Sequence, residues 1–304
     1  MNVSWKLHKA LELMRDQWFL PRDVERNALL VGRMLSQRLA SARPRKGLGD
    51  VEFRVFSQWG DDGIIQWLKH NLEFPSETFI EFGVEDYREA STRFLLMNDN
   101  WRGLVMDGSA RNIRRIRGAR WFWRHDLTAD HAWVDAENVN PLLAGFTRGC
   151  DPGILHIDVD GNDYWIWKSL DICSPRVVIV EYNAVFGLES AVTVPYDPSF
   201  HRSRAHHSHL YFGASLAALQ RLAGEKGYAL AGCNSAGNNA YFVRRDLLND
   251  VVREVPVAEA FADSRFRESR DASGRLTCRS GADRLEILRG LPVVDVSTGE
   301  TRPL

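Results

Sequence analysis

The chain has 304 residues, 44% of them hydrophobic, enough for one large domain or a domain with appendages and too apolar for wholesale disorder. Lys plus Arg number 39 against 40 Asp plus Glu, so a bulk electrostatic affinity for nucleic acid is excluded. The four cysteines, Cys150, Cys173, Cys233 and Cys278, form no C-x-x-C pair or disulfide framework; with no signal-like apolar core and no membrane-spanning run, a cytoplasmic setting is expected.

Residues 3 to 40 read as helix broken at Pro21, with Leu7, Leu11, Met14 and Trp18 recurring every three to four positions. This extension, 1–48, is expected to cap the main domain. Its alternative role is to pair two copies or to lie on a membrane surface, since Trp5, Trp18 and Phe19 sit near Lys and Arg. The stretch 41-SARPRKGLGD-50 reads as a linker.

Over 49–250 short apolar runs alternate with helical stretches. Strands are expected at 78–83, 103–107, 120–124, 153–158, 176–183, 228–233 and 239–245, with helices near 61–71, 88–99, 109–117, 130–144, 163–171 and 213–226. Unbroken apolar runs mean strands buried on both faces, and alternation with helices means parallel crossover units. The last two strands flank 234-NSAGNN-239 and should form an antiparallel edge hairpin. The expected fold is therefore a doubly wound, mostly parallel α/β sheet with an antiparallel edge hairpin, a helical N-terminal extension and a short C-terminal tail. That tail, 251–304, is charged and irregular and closes on a short strand and turn at 293–304.

Ligands of open parallel sheets bind at the carboxyl ends of the strands. Those ends carry Glu81-Phe82-Gly83, Asp107-Gly108, His125-Asp126, Asp158-Val159-Asp160 and Glu181-Tyr182-Asn183. So many acids suit a cationic, hydroxylated ligand and repel a pyrophosphate, which needs backbone N–H groups and a Lys or Arg. The order E-F-G, then an acid, then H-D resembles class I S-adenosylmethionine (SAM)-dependent methyltransferases. More narrowly it resembles the FkbM-like group, whose members often methylate sugar hydroxyls. The matching segments are 56-FSQWGDDGII-65, 79-FIEFGVED-86, 101-WRGLVMDG-108, 155-LHIDVDGNDYWIW-167, 178-VIVEYN-183, 211-YFGASLAAL-219 and 237-GNNAYFVRRDLL-248, spanning about residues 50 to 250. One departure is Asp86-Tyr87, where such proteins usually have Asp-Gly.

The resemblance implies a Rossmann-like methyltransferase that moves a methyl group from SAM to a saccharide or glycan-related hydroxyl. It implies that Glu81 and Gly83 shape the cofactor loop, Asp107 with Gly108 holds the ribose, Asp126 accepts from the adenine amine, and Gln58, beside Ser57, reaches the methionine part. A sugar hydroxyl must also lose its proton. The candidate bases are Asp158, Asp160, His156 and, in the cluster 201-HRSRAHHSHL-210, His207. The alternative is a Mg²⁺ bound by Asp158, Glu181 and Asn183, polarising the hydroxyl.

Two other readings of 158-DVDGND-163 compete. A calcium loop fails, because its sixth position is Asp163 rather than Gly and its twelfth is Ser169. A D-x-D glycosyltransferase fits Asp158-Val159-Asp160; separately, Tyr87 in place of the usual Gly leaves a non-catalytic SAM- or glycan-binding module as an alternative for the whole protein. Asp163 is expected to cap the helix that follows. The segment 186–203 reads as a lid whose Tyr196 and Phe200 could stack on a ring. Arg111, Arg114 and Arg115 read as a solvated helix face, or one turned to a lipid-linked acceptor, and Trp121, Trp123, Trp165 and Trp167 as packing residues.

Overall fold

The computed structural model describes residues 23–304, so the expected helix over 3–22 lies outside the described residues. Helix α1 runs over 23–39 and packs by Gly32 and Ser36, whose Oγ donates to Gln66 Oε1 at 2.6 Å. Helix α2 (Asp61–Asn71) follows, then strands β1 (Thr78–Phe82) and β2 (Arg102–Asp107), helix α3 (Ala110–Arg117), β3 (Leu127–His131), α4 (Val139–Thr147), β4 (Ile154–Ile157), α5 (Asp163–Ser169) and β5 (Val177–Glu181). Next come β6 (Val192–Thr193), α6 (Arg202–Ala205), α7 (Leu216–Glu225), β7 (Tyr228–Cys233), β8 (Asn239–Arg244), α8 (Val257–Ala260), α9 (Ala282–Leu288), β9 (Pro292–Asp295) and β10 (Thr301–Pro303).

The main sheet has seven strands in the order β3-β2-β1-β4-β5-β8-β7. Its first five strands are parallel, while β8 runs antiparallel to both β5 and β7. This is the expected doubly wound, mostly parallel α/β architecture, edge hairpin included. One face buries Ile64, Leu68, Ile113 and Ile116 from α2 and α3; the other buries Leu143, Tyr164, Trp167 and Leu219 from α4, α5 and α7. Strands so covered on both sides need apolar residues at every position, and β4 and β5 are buried throughout. A second sheet, β10-β9-β6, is antiparallel and carries the C-terminal tail.

The third strand differs from expectation. The aromatic run 120–124 forms a short turn, Phe122–Arg124, with Trp123 77% exposed rather than packed. The strand is β3, seven residues later, where Leu127 and Ala129 are buried and their neighbours are not. At a sheet edge only one face is covered, so alternation marks the strand and a run of apolar residues does not. The expected helices at 88–99 and 130–144 shrink accordingly, to a wide turn at Leu95–Asp99 and to α4.

Candidate functional site

The order of strands reverses between the parallel neighbours β1 and β4, with β2 on the far side of one and β5 on the far side of the other, and a crevice opens at their carboxyl ends. A cleft of about 710 Å³ fills this crevice, within the usual range for a small-molecule site. Its walls include Glu81, Glu85, Glu89, Asp107, Asp158, Asp160, Glu181 and Glu268, against Arg202, His156 and His201. The strongly acidic lining expected from the strand ends is thus gathered in one place.

Gly83 has φ +74°, and a Cβ there would lie 1.6 Å from the Asp158 carbonyl oxygen. Only glycine lets the chain leaving β1 cross the chain leaving β4, so the close approach is to backbone rather than directly to a ligand. Tyr87 adopts the left-handed conformation too, with φ +61°; its fully buried ring and its hydroxyl, 2.9 Å from Thr92 Oγ1, hold a turn where the resembled proteins place glycine. Asp107 is buried at the end of β2. It accepts from Glu85 N at 2.8 Å, Ser109 N at 2.8 Å and Asn112 Nδ2 at 3.0 Å, which ties the turns after β1 and β2 together at the cleft wall. Gly108 and Gln58 also line the cleft; Ser57 does not, because its hydroxyl is tied to Asp62.

Glu81 accepts from Ser91 N at 2.9 Å, Thr92 N at 3.0 Å and Thr92 Oγ1 at 2.5 Å, and pairs with His156 Nδ1 at 2.9 Å. Burial alone would raise its carboxyl, but His156, Thr92 and Ser91 outweigh it and hold Glu81 below the usual range. Burial opposes a charge on His156 as well, yet the hydrogen bond and charge of Glu81 lift the imidazole to about 9. Held against the Glu81 carboxylate in this way, His156 favours its protonated form. Its Nε2 is buried without a partner.

Asp158 directly follows Ile157, the last residue of β4, which pairs with Val180 of β5 just before Glu181, and both carboxyls line the cleft. Desolvation raises Asp158 above the usual carboxylate range against the pull of His156, and Asp160, Asp163 and Glu81 push the same way. Glu181 is raised further by burial and then by Asp158, and its Oε2 is buried without a partner.

The other candidates fall elsewhere. Asp160, at φ +57°, is paired with Arg202 at 3.0 Å. Asp163 Oδ1 and Oδ2 accept from Val159 N and Gly161 N, closing the loop before α5 rather than capping the helix. His207 is exposed outside the cleft, its ring 4.1 Å from that of His206; His201 lines the cleft in its place. Asn183 also leaves the expected set. Its Nδ2 donates to the carbonyls of Leu210 and Phe212, and its Oδ1 accepts from Val185 N, so every polar atom is spent on the backbone. The Asp158–Glu181–Asn183 set does not fit a metal, and among the described residues no cluster of three or more His, Cys, Asp or Glu side chains could hold one.

Asp126 precedes β3, its side chain is 73% exposed, and it faces Arg102 at 3.7 Å. The true end of β3 brings Ala132, Trp133 and Val134 to the cleft instead. Trp133 lies against Gly108, where a Cβ would be 2.8 Å from its ring, and donates from Nε1 to Pro198 O at 2.8 Å. Sequence reasoning missed Trp133, Arg202, Phe266 and Glu268. Alternation over 127–131 could have recovered Trp133; no periodic pattern marks the other three.

No protein-family model and no curated protein matches the chain. Among solved structures it is similar to the N-terminal domain of EvdMO1 in the presence of SAH and D-fucose, at 13% identity and TM-score 0.36, over 55% of this chain and 73% of that one. It is also similar to an O-methyltransferase from Bacillus cereus in complex with SAH, at 14% identity and TM-score 0.35, over 55% and 72%. A SAM-dependent methyltransferase from Clostridium acetobutylicum gives 10% and 0.37, over 60% and 89%. Likenesses this distant add nothing on chemistry.

Proposed function

We propose that this protein is a SAM-dependent methyltransferase that methylates a hydroxyl of a saccharide or glycan-related acceptor. The observation that carries the reading is the acid-lined cleft at the reversal point between β1 and β4, with Asp107 at one end and the Asp158–Glu181 pair at the other. A sulfonium and a ribose diol match such walls in charge and hydrogen bonding; a nucleotide diphosphate, as a D-x-D glycosyltransferase needs, does not.

Asp107, the Gly83–Glu85 turn and Gly108 would hold the cofactor's ribose and methionine parts, with Trp133 beside them. Bound there, SAM would supply an electrophilic methyl group. Asp158, which lines the cleft and has no side-chain hydrogen bond among the described residues, takes the acceptor proton. Glu181, whose Oε2 lacks a partner among the described residues, accepts from the acceptor. His156, paired with Glu81, favours the ionised form of Asp158 that receives this proton.

Methyl transfer from labelled SAM to a glycoside panel tests this. Asp158→Asn should lower kcat by two orders of magnitude or more, in line with the loss of a positioned base. Full activity in Asp158→Asn would remove it as the base. Activity should persist after EDTA treatment, and loss restored by Mg²⁺ would move proton removal to a metal.

A further inference from the structure

The C-terminal extension adds a wall that the sheet does not provide. Residues 261–270 cross the acceptor end of the cleft as a strap without regular structure. Arg284 of α9, itself buried, fastens it by donating to the carbonyls of Ser264, Phe266 and Arg279. Tyr182, just beyond β5, donates to Ala262 O at 2.7 Å, and Arg265 N donates to Ala236 O at 2.7 Å. A Cβ on Gly237 would lie 2.4 Å from Asp263 O, so the strap rests directly on the hairpin turn. So many anchors make it a fixed wall.

Glu181, Arg202, Phe266 and Glu268 also surround a small adjoining cavity, which places the four side chains together. Phe266 packs nearly perpendicular to Trp59, with ring centroids 5.4 Å apart. Phe200 packs so closely on Gly161 that a Cβ there would lie 2.1 Å from its ring. Glu181 is more than nine-tenths buried, and its unpartnered Oε2 lacks a donor.

Resting on the methyltransferase reading above, we propose that the strap and β5 form the acceptor subsite: Phe266 offers an aromatic face to the C–H face of a sugar ring, Glu181 accepts from a ring hydroxyl, and the pair sets acceptor specificity. Aromatic faces are electron-rich and favour the weakly positive C–H groups of such a ring. A neutral hydroxyl is the fitting donor at this end of the cleft because Arg202, which lines the same small cavity and pairs with Asp160, already supplies the positive charge there.

The test is ligand-observed NMR titration of the SAH-loaded full chain with neutral methyl hexosides and methyl glucosaminide, on the unaltered protein, Phe266→Leu and Glu181→Gln. At least one neutral glycoside should bind, and each substitution should weaken it tenfold or more while the Kd for SAH changes less than twofold. Equal glycoside affinity in both variants, no neutral glycoside bound, or binding of the glucosaminide alone would overturn the assignment. Failure of SAH to bind the unaltered protein would instead sink the methyltransferase reading beneath it.

Discussion

At the scale of single residues, the cleft depends on groups whose chemistry leaves few substitutes. Gly83→Ala meets both a left-handed φ and the Asp158 carbonyl at 1.6 Å. It should cost about 2 kcal/mol or more, a fall in Tm on the order of 5 °C, which a thermal melt reads directly. The Glu81–His156 pair makes a pH-dependent contribution whose sign is set at each partner. His156 is raised to about 9, so its part is complete below the ordinary imidazole value and is lost as pH climbs through 9. Glu81 is lowered, so its part is complete above the ordinary carboxylate value and lost as acid protonates it. Stability should therefore fall between pH 7 and 9.5 in the unaltered protein and change less in His156→Gln. Parallel pH profiles for the two proteins would refute this account of the pair.

Among the elements, the hairpin β7–β8 is tied to α2 by a buried polar cluster. Asp61 Oδ1 accepts from Asn234 Nδ2 at 3.0 Å, Asn239 Nδ2 at 3.0 Å and Tyr241 Oη at 2.5 Å. Removing the acceptor strands three buried donors, so Asp61→Ala should destabilise by roughly 3 kcal/mol or more in chemical denaturation, and a loss under 1 kcal/mol would show that the cluster is not needed. Elements are also where sequence reading succeeded and failed for identifiable reasons. The strands covered on both faces were legible because burial demands apolar residues at each position. Edge strand β3 was not, because its neighbour 120–124 is more apolar and yet forms a turn. That slip moved the adenine candidate to Asp126, on the surface, and hid Trp133. Asn183 illustrates a different limit: its position was right, but its hydrogen bonds go to a loop from 27 residues later, which local pattern does not reveal.

For the whole molecule, the sheet and the acidic strand ends were legible, while the strand order that gathers them into one cleft came from the structure. The strap over 261–270 was not, since it lies far along the chain, carries no periodicity and is placed by Arg284 and Tyr182. The central claim is that this cleft binds SAM through Asp107, and isothermal calorimetry tests it most directly. SAM and SAH should each bind at one site per chain with Kd on the order of 1–100 μM, and Asp107→Ala should weaken both at least tenfold. No heat of binding from either ligand, or equal affinity in Asp107→Ala, would contradict the account.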